Sequence, residues 1–444
     1  MVPSDAARSA SEGDVPKQAS EGRRPGDADP HRDAPKVGAV DTRKVFDPER
    51  RLHEAAKAVP RMDRVAGTLT NEEAGAIANE AANDTNPQLL GGTINLNQPV
   101  GDKLIRIPRG DRTQNEAQPL RNYDAARQAG DLLRGQVPNV EVPQALWIGR
   151  EAQKGEKGER AEIWERFDGE PVDAVWEQGP PPAEARAAIG DTIIAFATQE
   201  PSTLYAQYPL EPRTCGESHK AMLDHFAENV EPHHWETFGP AFEAIGARRE
   251  AVGVRSGQYE HPAPDLPTRL THNDPTPRNF LASGRDNPRF ALVDMDLATL
   301  GDPAFDVARV RQKWERLTRD QADEVNQRVK DGLHTKDPRL ADRFDERVDL
   351  NYRFLHYQRM LLLASRISDT VRAAPRDREG RQRVLAEAAA DADHNLPSVA
   401  DVLGTRVIPG DQFVDLVLQS ERTAPSRNRQ PPTPYQARVT SSSA

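Results

Sequence analysis

Cysteine is almost missing from this chain: Cys215 is alone among 444 residues, and aromatic side chains make up only 5%. One cysteine excludes an internal disulfide framework and a cysteine-ligated zinc cluster. Long apolar runs are missing too. A membrane-spanning helix needs roughly 18 apolar residues, whereas the richest run here extends only from Met360 to Ala364. The start, Met1-Val-Pro-Ser-Asp, has neither the basic region nor the apolar region of a secretory signal, so a cytoplasmic protein with no membrane partner is expected. Nor is there an excess of basic residues. With 59 Lys and Arg against 70 Asp and Glu, the formal charge is −11, which argues against a protein that coats nucleic acid or anionic lipid.

The scarcity of apolar residues is localised. Residues 1–45 have no Phe, Trp or Tyr, five prolines, and eight basic residues balanced by eight acidic ones. Such a stretch cannot bury enough surface to offset its ordering entropy and reads as a disordered tail. Residues 421–444, with Pro425, Pro431, Pro432 and Pro434 and a Thr-Ser-Ser-Ser-Ala end, read the same way and carry +3. The remaining core, 46–420, therefore holds −14, the chain's −11 less the tail's +3.

Within the core the pattern predicts a small strand-rich lobe over 46–168 and a larger helical lobe over 169–420, an α+β, two-lobed arrangement. Residues 50–85 read as helical, and Lys103-Leu-Ile-Arg-Ile-Pro as a strand. Asn115 to Leu133 reads as a further helix, with strands following near Val142 and Ala161. Helical spacing then recurs over 182–198, 217–229, 235–251, 304–330 and 349–373.

The chemistry is concentrated in Leu270-Thr-His-Asn-Asp-Pro-Thr-Pro-Arg-Asn-Phe-Leu and Phe290-Ala-Leu-Val-Asp-Met-Asp-Leu-Ala. Two short strands joined by the turn at Gly284-Arg-Asp-Asn-Pro predict a hairpin that sets Asn279 beside Asp294, with Asp274 on the loop entering it. Mg²⁺ prefers one or two carboxylate or carbonyl oxygens completed by phosphate oxygens and water, which Asn279 and Asp294 supply. Asp274 can then accept a hydrogen bond from an attacking hydroxyl and hold it in line with a γ-phosphate. His272 is placed to brace the loop.

These two segments resemble the catalytic and metal-binding segments of the aminoglycoside phosphotransferase and choline kinase-like family, which has the protein-kinase-like fold. Val293-Asp-Met-Asp-Leu-Ala-Thr-Leu-Gly-Asp-Pro-Ala-Phe-Asp-Val-Ala is similar to that family's strand-Asp…Gly-Asp-Pro-x-x-Asp signature. The Asp294-x-Asp296 form favours this family over protein kinases, and Gly301-Asp-Pro follows too soon to leave room for an activation loop. Asp302 followed by Pro303 suits a helix N-cap with Pro at the first helical position, so Asp302 and Asp306, with Asp296, are expected to support the site structurally.

The resemblance spans about residues 60–400 and implies an ATP- or GTP-dependent phosphotransferase acting with Mg²⁺ on a small-molecule hydroxyl. It implies a phosphate-binding turn at Gly91, Gly92 and Thr93, a phosphate-binding cation at Arg106, and an orienting ion pair from Glu116. It also implies an adenine-binding connector in Ile163-Trp-Glu-Arg-Phe-Asp-Gly-Glu-Pro, which contains Glu165 and Phe167. Asn273 departs from the Gly or Arg usual in the family, and Pro275 directly follows the catalytic position. A catalytically silent nucleotide-binding module is the rival reading. The acidic core would suit a cationic acceptor, although no Trp/Tyr cluster marks a cage for a quaternary amine.

Overall fold

In the computed structural model the described residues are 48–84, 95–108, 130–150, 160–199, 213–375 and 377–424. The expected tail 1–45 lies outside them, as does 425–444. Residues 421–424 close the last helix instead of beginning a tail, because the helix Gly410–Thr423 runs on past position 421.

The smaller lobe opens with helix α1 (Pro48–Ala58), strand β1 (Asp63–Gly67) and helix α2 (Asn71–Asn83). The helical reading of 50–85 is thus interrupted. Pro60 and Arg61 end the first helical stretch in a single 3₁₀ turn, and β1 finds an antiparallel partner 80 or so positions away, which local periodicity cannot reveal. Helix α2 begins on a capping box in which the Thr70 hydroxyl accepts from the Glu73 amide and the Glu73 carboxylate accepts from the Thr70 amide. Next come β2 (Asn95–Val100), β3 (Lys103–Pro108), β4 (Val140–Glu141), β5 (Ala145–Arg150) and β6 (Arg160–Glu165). All but β4 form one sheet in the order β1-β5-β6-β3-β2. Its covered face buries Ile105, Ile107, Trp147 and Ile163 against Ala74 and Ala78 of α2. Alternation along β3 therefore turns Arg106 to the other face. Of the helix expected over 115–133, residues 130–133 are described and helical.

Beyond β7 (Glu170–Pro171) helices dominate: α3 (Ala183–Ala197), α4 (Cys215–His225) and α5 (Glu231–Ala244). Strands β8 (Arg269–Thr271), β9 (Phe280–Ala282), β10 (Phe290–Leu292) and β11 (Thr299–Gly301) then precede α6 (Pro303–Lys313). The order β4-β10-β9-β7 makes one small sheet, and β8 pairs with β11. The stretch 304–330 divides: α6 stops at Trp314, and α7 (Arg319–Lys336) restarts on its own capping box of Thr318 and Gln321. The long α8 (Phe344–Arg372) runs through the middle of the lobe, followed by α9 (Arg378–Leu403) and α10 (Gly410–Thr423). One apolar core lies between α3, the small strands and α6, and a second between α5, α8, α9 and α10. No described helix is long and apolar enough to cross a membrane.

Candidate active site

The hairpin read from the sequence is present: β9 and β10 pair antiparallel with Phe280 opposite Leu292 and Ala282 opposite Phe290. The Val293 amide donates to the Asn279 carbonyl at 2.9 Å, which carries the pairing to the positions bearing the candidate ligands. The loop before it is held from below by Asp306 of α6. That carboxylate is fully buried and accepts from the His272 amide at 2.8 Å and the Asn273 amide at 2.7 Å. Burial pushes the Asp306 carboxyl up to about 7, against these two amides, which favour its ionised form.

His272 is 1% exposed, and its Nδ1 accepts the Asp274 amide at 3.2 Å. The Nε2 nitrogen must then carry the proton and donate it to the Val293 carbonyl at 3.1 Å. A neutral ring with both nitrogens engaged braces the loop. Asp302 caps α6 by accepting from the Ala304 amide at 3.0 Å, and is also bonded to Arg347 and His261.

Asn273 has φ +64°, the left-handed region that few side chains adopt. Asparagine tolerates it, which accounts physically for Asn at a position where Gly is common. Its side chain also ties the loop to the following turn, donating to the Leu297 carbonyl at 2.8 Å. Replacement by Ala or Gly removes that bond equally, but only Ala pays the left-handed penalty. Asn273→Ala is therefore expected to be less stable than Asn273→Gly by about 1 kcal/mol. Urea unfolding midpoints read this order, and equal midpoints would contradict it.

Asn279 places its Nδ2 2.9 Å from both the Asp274 carbonyl and the Asp274 Oδ2. Both neighbours are acceptors, so the amide NH₂ must face them, and its carbonyl oxygen could ligate a hard cation. Asp294 also sits at positive φ, +62°, and its side chain is 47% exposed. Its Oδ1 lies 3.1 Å from Arg106 Nη2. One amide oxygen and one carboxylate fit Mg²⁺, which takes few protein ligands beside phosphate and water. Among the described residues no group of three His, Cys, Asp or Glu is arranged to hold a metal.

Arg106 also approaches Glu162 Oε2 at 3.7 Å, its cross-strand partner on β6, and Glu162 accepts from the Trp164 indole at 2.7 Å. The ion pair was expected from Glu116, which lies outside the described residues together with Gly91, Gly92 and Thr93. Finding Glu162 required the β3–β6 register, which spacing along the chain does not contain. Lys103 turns away and pairs with Asp102. In the connector, Glu165 Oε2 accepts the Gln144 amide at 3.1 Å and the Arg166 amide donates to Asp102. Phe167 is buried, with the Arg289 guanidinium 5.9 Å from its ring centre. Asp296 lies on the turn Met295–Leu297, and its side chain is outside the described ones.

A residue that spacing did not reveal is Arg309 of α6. Its Nε is 3.4 Å from the Asn273 carbonyl and 3.7 Å from Asp274 Oδ1. In sequence it falls early in the helix expected over 304–330, and nothing in its spacing links it to Asp274. Beside it a cavity of about 140 Å³ opens between α4, α6 and α8, lined by Asn273, Phe305, Phe354 and Gln358 among others. Cys215 lies at its edge, fully buried, and burial pushes its thiol up, so the single cysteine is a passive one.

Residues 88–344, more than half of the chain, match the sequence model of the "Phosphotransferase enzyme family" (APH). No curated protein matches significantly. Among solved structures, the GDP and kanamycin complex of APH(2″)-IIia is 17% identical at TM-score 0.43, covering 73% of this chain and 99% of that one. A choline/ethanolamine kinase family protein from Mesorhizobium loti is 20% identical at TM-score 0.40, covering 75% and 99%. The choline kinase LicA from Streptococcus pneumoniae is 13% identical at TM-score 0.36, covering 71% and 94%.

Proposed function

Because the chain belongs to the phosphotransferase enzyme family, with its two-lobed protein-kinase-like fold, we propose that it transfers the γ-phosphate of ATP or GTP to a hydroxyl of a small molecule at Asp274. The observation that carries this reading is a convergence. Asp274 and Asn279 are joined by a 2.9 Å hydrogen bond, Asp294 follows on the paired strand, and Arg106 reaches Asp294 from the other lobe at 3.1 Å.

In this reading Asn279 and Asp294 would hold Mg²⁺, which supplies charge neutralisation at the phosphates. Arg106, held by Glu162, turns to the donor phosphates when they arrive. Asp274 accepts the hydrogen bond of the acceptor hydroxyl and takes its proton. The hydroxyl oxygen forms a bond to the γ-phosphorus as the bond to the β–γ bridging oxygen breaks, leaving a phosphate ester and a nucleoside diphosphate. Asn279 fixes the Asp274 carboxylate for this step, and Arg309 offsets the charge near it. Gly91, Gly92, Thr93, Glu116 and the Phe167 connector retain the nucleotide roles that the resemblance implies.

The test is purified protein with Mg²⁺ and ATP or GTP against amino alcohols, neutral polyols and hydroxy acids. A phosphorylated alcohol formed in step with nucleoside diphosphate, and only with a divalent cation, is the expected result. Nucleotide binding that is indifferent to Mg²⁺, without product from any class, would sink the reading and favour a silent module.

A further inference from the structure

The geometry points to an acceptor that carries an acidic group, a carboxylate or a phosphate ester, bound by Lys313 with Arg309 and Arg359 beside Asp274. This rests on the phosphotransfer reading and goes beyond it by assigning the chemical class of the acceptor.

Three cations gather near Asp274 although the chain as a whole is acidic, and they share that space with the carboxylates of Asp306 and Glu315. Arg309 and Lys313 are four residues apart on α6 and so share one face of the helix. That end of α6 is fastened to the catalytic loop, because the Trp314 indole donates to the Pro275 carbonyl at 2.9 Å. Arg359 of α8 joins them: its Nη2 lies 3.5 Å from the Gln312 carbonyl and 3.0 Å from Glu315. Glu315 is shared with His394, at 2.9 Å. Lys313 is half-buried, and among the described residues it makes no hydrogen bond or ion pair. Like charges at this spacing on a helix repel.

A second group records the crowding of these cations. His356 of α8 is 1% exposed, and neither of its ring nitrogens has a hydrogen-bond partner. Burial, then Arg359, Arg311 and Lys313, push it down to about 3, so it stays neutral. Burial, then Arg309 and Arg359, push Lys313 down to about 8, while Asp274 and Glu315 oppose the shift. A bound anion would relieve this crowding.

The cavity next to Arg309 offers no unengaged carboxylate to a cationic acceptor. The one carboxylate in its lining is Asp302, already engaged by Arg347 at 2.7 Å and His261 at 3.0 Å. Phe305 and Phe354 leave its wall largely apolar. Arg309 is the one of the three cations that lines it, so the uncharged carbon skeleton would lie there with its acid reaching past Arg309 toward Lys313 and Arg359 and its hydroxyl at Asp274.

Binding and turnover are measured apart. Inorganic phosphate is titrated calorimetrically into full-length protein saturated with Mg²⁺ and a non-hydrolysable nucleotide analogue. Phosphate is expected to bind, with affinity falling about tenfold in Lys313→Gln and largely restored in Lys313→Arg, while affinity for the analogue is unchanged. No binding by the wild type, or equal binding by Lys313→Gln, overturns the inference. Phosphate that binds the nucleotide-free protein but not the analogue complex assigns the cations to the donor's γ-phosphate and also overturns it.

In turnover, hydroxy acids or phosphorylated sugars are expected to exceed matched neutral and amino alcohols by about tenfold in kcat/KM, and Lys313→Gln is expected to act on KM. For an acidic acceptor kcat/KM falls as pH rises through about 8, where Lys313 loses its proton. A preference for amino alcohols overturns the inference and leaves phosphotransfer standing. Phosphate binding that depends on Lys313, with no turnover of any alcohol, sinks phosphotransfer alone.

Discussion

Asp274→Asn lowers kcat by about two to four orders of magnitude, the usual range for a lost catalytic base, while nucleotide affinity stays within about twofold. The replacement keeps the shape, so Asn279 and the loop amides retain a neighbour of the same size. Asp274 receives Asn279 on Oδ2, and its Oδ1 stands 3.7 Å from Arg309. An amide there can neither take the hydroxyl proton nor balance that guanidinium. Circular dichroism and the melting temperature should match the wild type, which separates a catalytic loss from unfolding. A kcat within about threefold of wild type would remove Asp274 from the chemistry.

Arg347→Leu destabilises the protein by about 3–5 kcal/mol, the cost of breaking a buried ion pair from one side. Arg347 is fully buried and donates to Asp302 at 2.7 Å, to the Asp342 carbonyl at 3.1 Å, and to the Leu340 carbonyl. Burial works to raise the Asp302 carboxyl, but Arg347, His261 and the Ala304 amide hold it below its ordinary range. Removing Arg347 leaves that buried carboxylate with only the His261 ring and the Ala304 amide. The double variant Arg347→Leu/Asp302→Asn should recover part of the loss, because it removes the stranded charge. Denaturant unfolding of the two variants reads both numbers. A loss below about 1 kcal/mol for the single variant would show that the pair is not a support of α6.

Which parts were legible in the sequence follows from how far apart the partners lie. His272, Asp274, Asn279 and Asp294 fall within one loop and one hairpin, so spacing and a turn signal suffice to bring them together. Asp302 and Asp306 were readable from cap chemistry at the start of α6, although only the structure reveals that Asp306 holds the His272 and Asn273 amides. Glu162 was not legible, because it meets Arg106 through the register of two strands. Arg309, Lys313 and Arg359 carry no spacing signal that links them to Asp274, because only the packing of α6 and α8 brings them near it. Net charge misleads here for the same reason: the −14 of the core says nothing about the sign of one cleft. Strand β1 escaped a reading by periodicity because it is decided by a tertiary partner, β5, whereas the break after α6 carries a local signal in the Thr318 and Gln321 capping box that apolar spacing alone does not register.

The central claim is that Asp274 directs a nucleotide's γ-phosphate onto an alcohol. Its most direct measurement is transfer of labelled γ-phosphate from ATP or GTP, with Mg²⁺, to acceptors that include hydroxy acids, for wild type and Asp274→Asn in parallel. Label in a phosphate ester from the wild type, reduced at least about a hundredfold in the variant, is the predicted result. Label recovered only as inorganic phosphate, or transferred equally by both proteins, contradicts it.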